Sequence, residues 1–277
     1  MIFYEYGNVI YKLTEEEREL ITRHNLFYED LFKYGNKILD IGFKETIEDY
    51  ELTIYSMIYR LLELLDTLKV MTENSLINSG FIVIRSLVEI AVQLEFILVD
   101  NDKMQEKATI LQMLDIKRTA KDEVTFYESM EKKECYREYV SIIKIDKPYS
   151  NWYSYCERKR ISLKDLFKLI GWENLYLSLY RPLCIETHGI NHMESNIVFQ
   201  NNQFNFKPFR VFENHVLLLN SVLTIMVPIL HRLVELYGNE QLKIEWSNYK
   251  EKIEEYIKNN HNISETEKNF NPMLKWF

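Results

Sequence analysis

The stretch that decides the fold is SGFIVIRSLVEIAVQLEFILVD, residues 79–100. It is long enough for a helix of about six turns, and apolar residues cover nearly the whole circumference of that helix. Only four side chains interrupt them: Arg85, Glu89, Gln93 and Glu95. A helix that is apolar on almost every side is stable only when other helices surround it. The segment therefore predicts the centre of a helical bundle.

The preceding residues also predict helices. Thr14 and Glu17 form a capping-box pattern that predicts the start of a long helix, and Gly42 predicts its end. Residues 45–74 repeat apolar side chains at helical spacing, which predicts a second helix antiparallel to the first. The 7 glycines and 5 prolines among 277 residues are too few for a strand-rich fold. We therefore predict an all-α protein, a multi-helix bundle.

We predict that residues 1–277 form a single helical domain, because a chain of this length can bury a sufficient core. Three parts are expected: front helices over about 14–145, a connection over about 146–161 and back helices over about 162–258. Near 197–209, short alternation of apolar and polar residues favours a small β-hairpin or an ordered loop.

The cysteines and the apolar runs indicate a cytoplasmic protein. Three widely spaced cysteines argue against a disulfide framework and favour a reducing compartment. The N-terminus lacks the basic start of a signal or transit peptide. The longest uncharged apolar run, Val216–Leu230, is 15 residues, whereas a membrane-spanning helix needs about 20. We expect it to be a core helix, and we expect no membrane partner.

Charge and motif content exclude several function classes. The net charge of −8 argues against broad affinity for nucleic acids, although residues 117–168 carry a local charge of +4. The sequence contains no glycine-rich phosphate loop, no G-x-S-x-G elbow and no dinucleotide fingerprint. Nucleotide hydrolysis of the P-loop or Rossmann kind is therefore excluded.

One pair of charges lies in the predicted central helix. Arg85 and Glu89 are four residues apart and so share a helix face. Burying an ion pair gains little net stability after desolvation, so the pair is compatible with a functional use. The alternative is a structural pair that sets the register of the helix.

A second polar group lies in YRPLCIETHGINH, residues 180–192. Arg181 and His188 are seven residues apart, which places them two turns apart on one helix face. The imidazole can move the proton of a ribose 2′-hydroxyl, and the guanidinium can hold the pentavalent phosphate. The pair therefore predicts phosphodiester cleavage. The alternative is that His188 only bonds a carbonyl at the end of the helix.

Metal binding is the competing chemistry at this segment. His188 and His192 are four residues apart, and Glu186 and Glu194 flank them, so a carboxylate could be a third ligand. Gly189 is expected to end the helix between the two histidines, and no second His pair or E-x-x-H motif completes a site. We therefore expect no metal and no other cofactor. Glu186, His192 and Tyr180 remain candidate binding residues.

A basic run lies in the predicted connection. Arg158, Lys159 and Arg160 could contact a nucleic-acid backbone. Three aromatic residues before the run could stack on bases: Trp152, Tyr153 and Tyr155. The alternative is an ordinary solvated loop.

These motifs resemble an uncharacterised bacterial family that is known only as a domain of unknown function. The resemblance covers roughly 79–196 and consists of the RSLVE helix, a W-Y pair, the LYRPLC helix and the following T-H-G. Cys184 stands where we expect a serine in that family. The resemblance implies one pocket formed by five residues: Arg85, Glu89, Tyr180, Arg181 and His188.

The spacing of Arg181 and His188 also resembles the R-x(4–6)-H motif of higher eukaryote and prokaryote nucleotide-binding (HEPN) domains. These are helical proteins, often metal-independent RNases that act as dimers. The sequence departs from their usual form at Pro182, where a polar residue is common. The resemblance implies an endoribonuclease of a toxin or antiviral-defence system, with RNA as substrate, a homodimer and an antitoxin or defence partner.

In this hypothesis each charged residue has a role. His188 is the acid or base and Arg181 binds the scissile phosphate. Arg85 supports the charge, and Glu89 orients one of the arginines. The alternative function is a non-catalytic helical module that binds a ligand or a protein through the same pocket.

Overall fold

A computed structural model gives the fold. It describes residues 4–6, 9–11, 13–42, 47–187, 197–200, 203–206 and 214–260, with the backbone alone for 4–6, 9–11, 185–187, 197–200, 203–206 and 259–260. Helices make up most of the described chain, and the strands are limited to two short pairs. The predicted all-α class is confirmed.

The three longest N-terminal helices follow the sequence patterns closely. They are α1, Glu15–Gly42, α2, Asp49–Glu73, and α3, Ile77–Leu98. The capping box is confirmed, because the Thr14 amide donates to Glu17 at 2.7 Å and the Glu17 amide donates to the Thr14 hydroxyl at 3.2 Å. Most apolar side chains of α3 are fully buried, as a central helix requires, although Ile82 is exposed.

The remaining helices are shorter until the last two. They are α4, Met104–Thr119, α5, Glu123–Lys132, α6, Glu134–Arg137, α7, Val140–Ile143, α8, Trp152–Cys156, α9, Leu163–Leu169, α10, Glu173–Leu175, α11, Arg181–Thr187, α12, His215–Tyr237, and α13, Glu240–Asn260. A 3₁₀ turn, Asn101–Lys103, precedes α4, and a π-helical turn, Tyr176–Tyr180, joins α10 to α11. Ser162 caps α9 through a capping box with Asp165.

The strands of both pairs are antiparallel. Strands β1, Tyr4–Tyr6, and β2, Val9–Tyr11, pair near the N-terminus, where the sequence patterns predict nothing. Strands β3, Ile197–Gln200, and β4, Gln203–Phe206, pair with Ile197 opposite Phe206. This second pair lies within the segment 197–209 for which the sequence favours a hairpin or an ordered loop.

The chain divides into two compact units. The first unit consists of Met1–Ile38, Leu61–Glu89 and Asn174–Phe277, and the second of Leu39–Arg60 and Ile90–Glu173. These boundaries differ from the predicted front and back halves, because α1, α2 and α3 each contribute residues to both units. Helix α8 also lies inside the predicted connection 146–161. The single-domain organisation stays a prediction.

Helix α12 supplies much of the core of the first unit. By length and composition it could cross a membrane, but 61% of its most apolar window is buried inside the protein. This burial agrees with the predicted core helix. Gly80 of α3 lies so close to α12 that a Cβ at this position would meet Leu218 at 3.0 Å. The cytoplasmic location stays a prediction.

Helix α13 packs on α1 in the same unit through aromatic side chains. Trp246 is 1% exposed and meets the ring of Tyr34 edge-on, with 5.0 Å between centroids. The Tyr34 hydroxyl donates to the Glu245 carbonyl at 3.0 Å, and Lys37 forms an ion pair with the Glu245 carboxylate. These contacts join α1 to α13 within the first unit.

Candidate functional site

The site is built around an irregular turn before α11. The Arg181 amide donates to the carbonyl of Tyr176, five residues earlier, as in a π-helix. Pro182 follows directly, lacks an N–H and would place its ring against the carbonyl four residues earlier in a regular α-helix. The wider turn relieves this conflict. A π-turn therefore precedes Pro182 in place of regular α-helix.

The π-turn brings Tyr180 to the charged pair of α3. The Tyr180 hydroxyl donates to Glu89 Oε1 at 2.5 Å, and Arg85 Nη2 lies 3.1 Å from the same oxygen. The Arg85 guanidinium also lies 5.9 Å from the centre of the Tyr180 ring, within the range of a cation–π contact. One carboxylate oxygen therefore holds both a phenol and a guanidinium.

Cys184 completes this group, which we call the Glu89 network: Arg85, Glu89, Tyr180 and Cys184. Burial lowers the pKa of Arg85, but hydrogen bonds with Tyr180 and Cys184 and the charge of Glu89 outweigh it and raise that pKa. Burial, the hydrogen bond to Glu89 and that with Cys184 raise the pKa of Tyr180 above its ordinary value. At neutral pH Arg85 is therefore charged and Tyr180 is protonated.

The network is less buried than the apolar pattern of α3 predicts. The side chains of Arg85 and Glu89 are 32% and 33% exposed. The Nε atom of Arg85 is nevertheless buried and has no hydrogen-bond partner among the described residues. An unpaired buried donor costs free energy, and such costs are often retained at functional sites.

Arg181 lies next to Tyr180 but outside the network. Its side chain is exposed at the first residue of α11. No ion pair joins Arg181 to another residue in the part of the chain that the structure describes. The structure thus brings together Arg85, Glu89 and Tyr180. The single pocket that also includes Arg181 and His188 stays a prediction.

The remaining candidates of this segment cannot be placed. His188 and His192 lie outside the described residues, and only the backbone of Glu186 is described, within α11. Among the side chains that the structure describes, no three His, Cys, Asp or Glu residues lie close enough to hold a metal ion. The predicted absence of a metal at His188 therefore stays a prediction.

The basic run belongs to the second unit. Arg158 has a left-handed backbone, with φ at 52°, and its guanidinium lies 3.5 Å from Glu106 Oε1. Lys159 and Arg160 are exposed. Contact of these three residues with a nucleic acid stays a prediction.

The expectation that the neighbouring aromatic residues stack on bases is wrong. Trp152, Tyr153 and Tyr155 are only 5%, 6% and 4% exposed, because they form part of the core of the second unit. The Trp152 indole donates to Gln93 Oε1 at 2.6 Å, and its ring packs against Phe96. A base cannot reach these rings in this conformation.

Sequence reasoning missed Tyr176 as a site residue. Its ring stacks on that of Tyr180, with 5.7 Å between centroids and an angle of 30° between the planes. The available signal was Pro182, because a proline inside a helix disturbs the turn that precedes it.

The hydrogen bond between Tyr180 and Glu89 can be tested directly. Tyr180→Phe is expected to lower the free energy of unfolding by about 1–2 kcal/mol, since a hydrogen bond to a charged acceptor is lost while the ring remains. Urea unfolding measures the change. Tyr59→Phe is the matched control, because Tyr59 is 60% exposed. Equal stability of the two variants would show that the bond to Glu89 contributes nothing.

Comparisons with known proteins give one result. Residues 51–204, more than half of the chain, match the sequence model of DUF5677, described as a family of unknown function. The match includes the whole Glu89 network and confirms the predicted resemblance to a domain of unknown function. No curated protein and no solved structure matches the chain. The resemblance to HEPN domains finds no support in these comparisons and stays a prediction.

Proposed function

The chain belongs to DUF5677, a family of unknown function, and from the geometry of its site we propose that it is a metal-independent endoribonuclease of the HEPN type. The observation that carries the proposal is the exposed Arg181 at the start of α11, directly after a tyrosine that the Glu89 network holds in place. A guanidinium on a rigid support is suited to bind a phosphodiester through paired hydrogen bonds.

In the proposed reaction the 2′-hydroxyl oxygen attacks the adjacent phosphorus. His188 accepts the hydroxyl proton, and the bond from phosphorus to the 5′ oxygen breaks. The leaving oxygen takes a proton from water, and the hydroxide that remains takes the proton from His188, which gives a 2′,3′-cyclic phosphate, a 5′-hydroxyl end and neutral His188. Arg181 stabilises the negative charge on the pentavalent phosphate.

The other charged residues support this centre. Arg85 adds positive charge near the phosphate, and Glu89 positions Arg85 through the 3.1 Å contact. His188 is the residue after Thr187, the last residue of α11, and its spacing of seven from Arg181 supports a shared face. The basic run at Arg158 is a second candidate RNA contact.

The HEPN-like motif also supports a biological setting. We propose a toxin-like or antiviral effector that acts as a homodimer and is controlled by an antitoxin or another defence protein. The spacing of Arg181 and His188 is the support for this setting.

One observation favours a second candidate, a binding module without catalysis. Glu89 Oε1 already contacts Tyr180 and Arg85, so it is a poor general base. Without a competent His188, the Glu89 network and Arg181 provide an exposed cation but no group suited to act as a general base. Such a site would bind an anionic ligand and leave it intact.

RNA cleavage in EDTA tests the proposal. Purified wild type and Arg181→Ala/His188→Ala are incubated with total RNA and with tRNA, and the products are resolved on a denaturing gel. We expect fragments with the wild type alone. Arg18→Ala is the matched control, because Arg18 is a surface arginine of the first unit paired with Glu15.

Each result has one meaning. Intact RNA in all lanes would overturn the nuclease proposal and favour the binding module. Cleavage by the double variant at the wild-type rate would remove Arg181 and His188 from the mechanism. Loss of cleavage in Arg18→Ala as well would show that the assay reports general damage to the protein.

A further inference from the structure

The π-helical turn Tyr176–Tyr180 places a different side chain beside Arg181 than a regular α-helix would. In a regular α-helix, residues five apart point about 140° away from each other. The bond from the Arg181 amide to the Tyr176 carbonyl instead places these two positions above one another, about one helical turn apart. Tyr176 and Arg181 therefore share a face because this turn is wide.

Apolar side chains of this turn are exposed to solvent. Leu177 is 48% exposed, and Tyr176 is partly exposed. An exposed leucine beside an aromatic ring costs solvation free energy, which a flat apolar ligand would recover. An exposed guanidinium lies one turn away at Arg181.

The Tyr176 ring is held before any ligand arrives. It stacks on Tyr180, whose hydroxyl is bound to Glu89 at 2.5 Å. A side chain that is already ordered loses little conformational entropy when it contacts a ligand. The ring is therefore a suitable stacking platform.

We propose that Tyr176, Leu177 and Arg181 form a nucleotide subsite for single-stranded RNA. The base packs on Tyr176 and Leu177, and the phosphate of the same nucleotide binds Arg181. Base and phosphate are joined through one ribose, which suits two protein groups one helical turn apart. This subsite rests on the proposed function in one respect, because both require Arg181 to bind a phosphate of the RNA.

Stacking on an aromatic side chain accepts every base, because each base has a π-face. The subsite is therefore expected to select unpaired nucleotides without selecting sequence. A base inside a duplex is already stacked on both sides and cannot reach Tyr176. Single-stranded loops and ends are the expected targets.

Binding of an uncleavable probe tests the subsite. The probe is a fluorescent 2′-O-methyl RNA octamer, which retains bases and phosphates but has no attacking hydroxyl. Tyr176→Ala in the full chain is expected to weaken binding about 5- to 100-fold, measured by anisotropy at fixed salt. Tyr176→Phe should bind as the wild type does, because the ring remains.

Three controls make the result specific. Leu26→Ala removes a leucine that is 56% exposed on α1 and should leave the affinity unchanged. An octamer without bases should bind wild type and Tyr176→Ala equally. If Tyr176→Ala fails to fold, Tyr176→Leu keeps apolar contact while removing the flat ring, and a weakened affinity is expected again.

The outcomes separate the subsite from the nuclease proposal. Wild-type affinity in Tyr176→Ala and Tyr176→Leu would overturn the subsite, even if the protein cleaves RNA. Weakened binding in these variants, together with no cleavage by the wild type, would support the subsite and overturn the nuclease. Failure of the wild type to bind the octamer would overturn the subsite directly.

Discussion

RNA cleavage by Arg181→Ala is expected to be about 100- to 1,000-fold slower than by the wild type, the usual cost of removing one donor that stabilises a charged transition state. The exposed side chain contributes little to the fold, so the unfolding temperature should stay unchanged. Single-turnover cleavage of tRNA in EDTA, followed with time, measures the rate.

Two further variants separate charge from proton transfer. Arg181→Lys keeps the charge but cannot form paired hydrogen bonds, so its rate should lie between those of the wild type and Arg181→Ala. His188→Ala removes the proposed acid or base, with an expected loss of about 100- to 10,000-fold. Undiminished cleavage by His188→Ala would refute its assignment.

Acidic pH is expected to destabilise the first unit, because two histidines are buried there as neutral rings. His24 of α1 and His215 of α12 are 0% and 1% exposed, and their ring centroids are 6.5 Å apart. The Tyr256 hydroxyl lies 3.0 Å from His24 Nε2. A charge on either imidazole would lack solvation at this junction of α1, α12 and α13.

The pKa values of His24 and His215 reflect the cost of charging a buried imidazole. Burial, followed by repulsion from His215 and Arg23, lowers the pKa of His24 from 6.5 to about 3. Burial lowers the pKa of His215 to about 4, although attraction by Glu17 opposes the change. Both folded-state values therefore lie below the value of 6.5 for an exposed histidine.

The direction of the pH effect follows because the pKa of each histidine is lower in the folded chain than in the unfolded chain. Above pH 6.5 both rings are neutral in the folded and the unfolded chain, so they cost nothing. As the pH falls from 6.5 towards about 4, the unfolded chain binds protons that the folded chain cannot. Each histidine then lowers the free energy of unfolding by about 1.4 kcal/mol per pH unit.

Urea unfolding at pH 7.5 and pH 5.5 tests this prediction. We expect about 3 kcal/mol less stability at pH 5.5 from the two histidines together. His24→Gln should remove about half of this loss. His231→Gln is the comparison: burial also lowers the pKa of His231, but its side chain is exposed, so we expect it to account for a smaller part of the loss. An unchanged loss in His24→Gln would show that His24 is protonated without cost.

The sequence by itself determined the helical class and most of the long helices. The capping boxes at Thr14 and Ser162 are satisfied by residues three positions on. The apolar pattern of 79–100 predicted the buried course of α3 correctly. These features depend on residues within one or two turns, so local spacing suffices to predict them. The R-S-L-V-E and L-Y-R-P-L-C motifs likewise identified the family.

Only the tertiary structure decided which residues meet. Glu89 and Tyr180 are 91 positions apart, and no local rule relates them. Trp152 and Tyr155 became core residues rather than a binding surface, because packing against helices elsewhere in the second unit decides their exposure. The shared face of Tyr176 and Arg181 depends on a turn with a changed period, which patterns based on 3.6 residues per turn do not contain.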